Sequence, residues 1–159
     1  MKKLLKLSVL LLFVFQFSSL FAQDIVAPKP EKNVPIIVAE AFQTKFSKNE
    51  PVWFSQYQGR YNDKLVYEAR FIFDNRYSSA VYNRDGTLIA FAATIEANEI
   101  PKKAIDYMKK NYTDRGVTEA MMVTRGEKEV TFELGIYINN RFTVVVFDKE
   151  GNYIKTTLG

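Results

Sequence analysis

Two kinds of hydrophobic spacing alternate along this chain, and the alternation occurs twice. After Val34, apolar residues recur as Val38, Ala39, Phe42 and Phe46. Steps of three and four place them on one stripe of a helix. Ala104, Ile105, Met108 and Tyr112 repeat the stripe further on. Pro35 and Pro101 precede the two stripes, in the first turn, where a missing N–H leaves no bond unmade. A single apolar stripe predicts that each helix lies on a sheet. The intervening stretches are rich in β-branched and aromatic residues. They predict strands over 52–57, 64–73, 76–83 and 87–95, and again over 117–124, 129–138, 141–148 and 152–158. The short connections predict antiparallel neighbours.

The two sets are copies of one pattern. At an offset of 65, Phe71-Ile72-Phe73-Asp74-Asn75-Arg76-Tyr77 becomes Ile136-Tyr137-Ile138-Asn139-Asn140-Arg141-Phe142. Glu68 meets Glu133, Val81 meets Val146 and Ile89 meets Ile154. The helices match at an offset of 66, with Val34-Pro35 on Ile100-Pro101 and Phe42 on Met108. The expected fold is therefore α+β. Two tandem helix-plus-hairpin units (34–99 and 100–159) form one continuous antiparallel sheet of about eight strands, with both helices on one face.

The turns predict which residues share a face. Gly86 and Gly151 suit the left-handed position of three-residue hairpin loops, which pairs Val81 with Ile89 and Val146 with Ile154. Three-residue loops at Asp74-Asn75-Arg76 and Asn139-Asn140-Arg141 pair Phe73 with Tyr77 and Ile138 with Phe142. The helix-covered face then holds Tyr67, Ala69, Phe71, Phe73, Tyr77, Ser79, Val81, Ile89 and Phe91. In the second half it holds Phe132, Leu134, Ile136, Ile138, Phe142, Val144, Val146, Ile154 and Leu158. The open face receives Glu68, Arg70, Ile72, Ala80, Tyr82, Leu88 and Ala90, with Glu133, Tyr137, Val145, Phe147, Tyr153 and Lys155. A wet sheet face this aromatic is a candidate contact surface.

The chain's start changes the charge picture. Lys2, Lys3 and Lys6 precede an almost wholly apolar run from Leu7 to Phe17, and Ser18-Ser19-Leu20-Phe21-Ala22 supplies a small-residue exit. This is the layout of a secretory signal cleaved near Ala22-Gln23. The run is too short to span a bilayer, which takes roughly 20 residues. The net charge of +4 includes those three lysines and no acid from the same segment, so the exported part carries +1. Without a block of like charge, neither nucleic acid nor an anionic membrane is an expected partner. Residues 23–33, with Pro28 and Pro30, read as an extended leader. The location expected is the periplasm or the exterior.

The chain has no Cys and no His. Thiol nucleophiles, thiolate metal sites and histidine-based triads are thereby excluded. Glu68 and Glu133 form a symmetric carboxylate pair, but repetition accounts for their placement, and exposed charges of this kind keep sheets from associating. The turns around Asp85 and Asp148 lack the alternating oxygen ligands of a calcium loop. No catalytic residue, metal or cofactor is expected.

The Gly turns, Ala80-Val81-Tyr82-Asn83-Arg84-Asp85-Gly86 and Val145-Val146-Phe147-Asp148-Lys149-Glu150-Gly151, together with Val52-Trp53 after Glu50-Pro51, give the chain a resemblance. It resembles the exported PepSY-like domains, which are similar in architecture to the β-lactamase inhibitor protein. The likeness spans roughly 34–159. The Leu-Phe-Ala-Gln signal exit resembles those of Bacteroidetes secretory proteins. The resemblance implies tandem α/β units, helices on one side of the sheet, and non-enzymatic binding, including inhibition of a peptidase or another envelope enzyme. The lactamase inhibitor grips its target with its open sheet face and loops. It carries disulfides in each half, and this chain has none.

The candidate partner-binding residues are Trp53, Tyr57, Arg70, Tyr82, Tyr137, Phe147 and Tyr153. Trp53 and Tyr57 either face the open side as anchors or plug the core while Phe54 points out. The open-face aromatics await a protein partner, the leader or a second copy of the chain. A carrier of a small hydrophobic or glycan ligand and a self-associating envelope component are the competing readings.

Overall fold

Each helix begins immediately after its proline. α1 spans Ile36–Lys45 and α2 spans Lys102–Asn111. The Pro35 carbonyl accepts the N–H groups of Val38 and Ala39, and the Pro101 carbonyl accepts those of Ala104 and Ile105. Both prolines thus stand at the N-cap, one position earlier than expected. Strands β1 (Val52–Gln58), β2 (Lys64–Phe73), β3 (Arg76–Asn83) and β4 (Leu88–Thr94) follow α1. A short 3₁₀ turn at Ala97–Glu99 leads into α2. Strands β5 (Glu119–Arg125), β6 (Glu129–Ile138), β7 (Arg141–Asp148) and β8 (Tyr153–Leu158) complete the chain. This computed structural model describes residues 29–58, 64–126 and 129–158. The apolar N-terminal segment, its cleavage point and the first part of the leader lie outside the described residues.

The eight strands form one antiparallel sheet in the order β1 to β8, with both helices on one face. Two apolar clusters result, one per helix. Val38, Phe42 and Phe46 bury themselves against Tyr67, Ala69, Phe71, Ala80 and Tyr82. Ala104 and Met108 pack on Leu134, Ile136, Val145 and Phe147. Phe42 is fully buried and meets Phe46, Trp53 and Phe71 with ring centroids 5.2, 5.5 and 4.9 Å away. Truncating such a ring costs about 3–5 kcal/mol.

The register corrects the expected faces of β3 and β7. Asp74 and Asn75 both have positive φ (49° and 61°), as do Asn139 and Asn140 (50° and 61°). Two consecutive left-handed residues make a two-residue hairpin loop, a conformation that Asn and Asp tolerate. Phe73 therefore pairs with Arg76, and Ile138 with Arg141. The loop is one residue shorter than the expected one, and a one-residue slip turns every side chain over. Ser78, Ala80 and Tyr82 lie under α1 while Tyr77, Ser79 and Val81 face outward. Thr143, Val145 and Phe147 lie under α2 while Phe142, Val144 and Val146 face outward.

The glycine hairpins close as expected. The Gly86 N–H donates to Asn83 and the Asn83 N–H to Thr87; Gly151, Asp148 and Asn152 repeat the arrangement. A bulge then follows each loop. Tyr82 pairs with Leu88 but Val81 pairs with Ala90; Phe147 pairs with Tyr153 but Val146 pairs with Lys155. Ile89 and Ile154 are the extra residues, so neither sits opposite its expected valine. The bulge returns Phe91 to the helix side and brings Tyr153 there as well.

Candidate docking face

The side chains on the uncovered face belong to alternate residues of each strand. β2 presents Glu68, Arg70 and Ile72, and β3 presents Tyr77, Ser79 and Val81. Ala90 and Ala92 come from β4, Glu119, Met121, Val123 and Arg125 from β5, and Glu133 from β6. All of these except Ile72, together with Gln58 and Ile89, line a trough of about 740 Å³ that runs across five strands and reaches the end of β1. Small residues at Ser79, Ala90 and Ala92 keep its floor low.

Charge stands on both flanks. On β2, the Arg70 Nη2 donates to Glu68 Oε2 at 2.9 Å, and its guanidinium lies 4.3 Å from the centre of the Phe54 ring. Its bond to the Glu68 carboxylate raises the Arg70 pKa above its ordinary value. Opposite, Arg125 donates to Glu133 Oε1 at 2.6 Å and to the Thr131 hydroxyl at 3.0 Å. Each pair holds a planar, five-donor group in a fixed direction. Between them, Val81, Met121 and Val123 form an apolar strip. The trough thus combines an apolar middle with oriented charge at its sides, the layout by which protein surfaces fix one partner in one orientation.

The seven candidate residues divide. Arg70 lines the trough. Tyr137 is on the open face, half exposed, with its ring 5.5 Å from that of Phe142, but further along β6 than the trough. Tyr82 and Phe147, expected on the open face, are core residues with 1% and 0% exposure. The two-residue hairpins moved them. Trp53 also faces inward, packing on Phe42 and Tyr82, and Phe54 takes the outward position. Tyr57 shares the helix-side direction of Trp53 but protrudes into solvent at the sheet edge. Tyr153 stacks on Tyr107 of α2, with centroids 4.7 Å apart and planes 9° from parallel. Phe54, Tyr77, Val81, Met121, Val123 and Arg125 were not anticipated as site residues. The correct hairpin length would have exposed Tyr77 and Val81.

No protein-family model matches the chain, and no curated protein matches it in sequence. Solved structures do share its fold. A proposed periplasmic protein from Bacteroides eggerthii DSM 20697 superposes with a TM-score of 0.67 at 13% identity, over 79% of this chain and 89% of its own. A DUF2874 family protein from Bacteroides ovatus ATCC 8483 gives 0.65 at 16% identity, over 80% and 89%. A BLIP-like protein from Bacteroides fragilis NCTC 9343 gives 0.58 at 12% identity, over 85% and 90%. These overlaps take in both halves of the sheet, so the architecture of this chain is that of the BLIP-like structures.

Proposed function

We propose that this chain is an exported, non-enzymatic binding module of the PepSY-like kind that docks a protein partner in the open-face trough. The observation that carries the reading is the division of the sheet. Both helices are used on one face, which leaves a trough of about 740 Å³ with an apolar strip and two oriented Arg–Glu pairs on the other. Its breadth favours a protein over a small ligand, which needs an enclosed pocket. The signal-like N-terminus and the periplasmic descriptions of fold neighbours support a location in the envelope. Inhibition of an envelope enzyme as the outcome of docking follows from the resemblance in the sequence, and the BLIP-like neighbour shares the fold.

The test is capture from envelope extract by immobilised exported chain, with Val81→Arg and Met121→Arg as trough variants and Tyr57→Ala as a control outside it. A protein retained by the parent and by Tyr57→Ala, and released by both trough variants, supports the reading and identifies an enzyme to assay. Equal retention by all four chains refutes docking in the trough.

A further inference from the structure

An antiparallel sheet that does not close has two edges, and this one finishes them differently. At β1 the leader covers part of the edge. The Glu31 N–H donates to the Trp53 carbonyl at 2.7 Å, and Ser55 donates its hydroxyl to Glu31 Oε2 at 2.7 Å. Pro30 stands just upstream, and proline discourages strand addition. At β8 all six residues are exposed. That strand has no proline and one charge, Lys155.

The outward backbone groups of β8 can be read from β4, its counterpart 65 residues earlier. The Ile95 N–H donates to Ala120 at 3.0 Å and the Gly126 N–H donates to Ile89 at 3.3 Å. Residues 89, 91, 93 and 95 therefore aim their main-chain groups at β5. The counterparts on β8 are Ile154, Thr156 and Leu158.

We propose that two copies of the chain join antiparallel through β8, with the two-fold axis at Thr156. Ile154 then lies opposite Leu158 of the second copy, Lys155 opposite Thr157, and Thr156 opposite itself. This register sets outward groups against outward groups. It covers two exposed aliphatic side chains, Ile154 (49%) and Leu158 (68%), with each other. It also keeps the lysines apart and makes a threonine pair, a favourable cross-strand neighbour. An axis at Lys155 would oppose two like charges and present inward-pointing groups. Pairing of β8 with β1 of another copy, the analogue of the internal β4–β5 joint, is head-to-tail and does not close. The leader at β1 stands in its way. Pairing of β8 with itself closes as a dimer.

Sedimentation velocity on protein expressed with its own leader and recovered from the envelope fraction tests this. A joint of one short strand is small, so the dimer should be weak, with mass rising from one to two chains as concentration increases. Thr156→Pro removes an outward N–H at an edge position where proline is tolerated, and it should leave a monomer. Ile154→Lys with Leu158→Lys should do the same. Ile154→Lys with Leu158→Glu places opposite charges across the joint twice and should retain the dimer, which only this register predicts. Circular dichroism confirms folding of each variant. A monomer at every concentration, growth beyond two chains, or equal loss in both charge variants would overturn the proposal.

Discussion

Exchanging the two aromatic residues that share a place in the repeats, by Tyr82→Phe and Phe147→Tyr, probes the core from both sides. Tyr82 is 1% exposed, and its hydroxyl has no hydrogen-bond partner among the described residues. It lies among rings, with Trp53 at 6.2 Å and Phe42 at 6.5 Å. A buried hydroxyl without a partner costs about 1–3 kcal/mol. Removing it also removes some dispersion contact, so Tyr82→Phe should stabilise by about 0.5–2 kcal/mol. Phe147 is fully buried between Tyr107 and Tyr153. A hydroxyl added there meets filled, apolar space and should cost about 1–3 kcal/mol. The two sites belong to separate clusters, so the double variant should equal the sum within about 0.5 kcal/mol. Urea unfolding measures each effect as a midpoint shift at constant slope.

The pH dependence supplies a second readout. Burial pushes the Tyr82 phenol up to about 12. In the unfolded chain it titrates near its ordinary value of about 10. Between those values the unfolded state binds fewer protons, so stability falls as pH rises. The contribution is complete below about pH 10 and is lost towards pH 12, with a slope of at most about 1.4 kcal/mol per unit. Tyr82→Phe lacks this slope, so its advantage over the parent should widen across the window. The raised Tyr107 titrates in both chains and cancels. A Tyr82→Phe chain less stable than its parent by more than about 1 kcal/mol at neutral pH would show a satisfied hydroxyl and refute the reasoning. Parallel pH curves would refute its burial.

Ala80→Glu should destabilise by roughly 3 kcal/mol or more, because it buries a carboxylate under α1, whereas the neighbouring Ser79→Glu, on the open face, should change stability by less than about 1 kcal/mol. The reverse order in thermal unfolding would restore the longer hairpin loop. Gly151→Ala should cost about 2–3 kcal/mol, since φ there is +83° and the added Cβ would lie 2.7 Å from Pro101 Cβ and 3.0 Å from the Ala104 nitrogen. An unchanged urea midpoint would show that this hairpin is not tied to α2. Asp148 accepts bonds from the side chain and backbone of Asn152, which hold its carboxyl below the usual range. Its contribution is present above its ordinary pKa of 3.8 and is lost as pH falls through the lowered folded value. Asp148→Ala should therefore be less stable than the parent at neutral pH and converge with it in acid. A constant gap in acid-titrated unfolding would rule that out.

The strand boundaries were legible to within two residues, because β-branched runs and glycine turns are strong local signals. The faces of β3 and β7 were not legible, and their composition explains why. On β7, Phe142, Val144 and Val146 compete with Thr143, Val145 and Phe147, and the two sets differ little in hydrophobicity. Only the hairpin length chooses between them. Asp74-Asn75 and Asn139-Asn140 lack a glycine, so their consecutive left-handed conformations carried a weak signal. The bulges at Ile89 and Ile154 had no signal in the pattern at all. Because the halves are copies, each misreading occurred twice. Agreement between repeats therefore could not expose it. Arg70 and Glu68 were placed correctly because β2 lies before the hairpin, and its alternation fixes its own faces.

The corrected register also shows where the two halves have diverged. Under the helices, equivalent positions keep their chemical character: Tyr67 with Phe132, Ala69 with Leu134, Phe71 with Ile136, Ser78 with Thr143, Ala80 with Val145 and Tyr82 with Phe147. Even the two hydroxyls are used alike. Ser78 donates to the Arg76 carbonyl and Thr143 to that of Arg141, both at 3.2 Å. On the open face Glu68 with Glu133, Tyr77 with Phe142 and Val81 with Val146 also keep their character, while other positions change. Arg70 stands where the second half has Gly135, and the Phe142 ring fills the space that a side chain at Gly135 would need. Ser79 stands opposite Val144 in the comparison, and Val66 opposite Thr131. Both halves keep an Arg–Glu pair, but the substitutions leave the floor low at Ser79 in the first half and place the Phe142 ring over Gly135 in the second. The trough across β2 to β6 therefore has two unlike ends, which would give the proposed partner a preferred orientation.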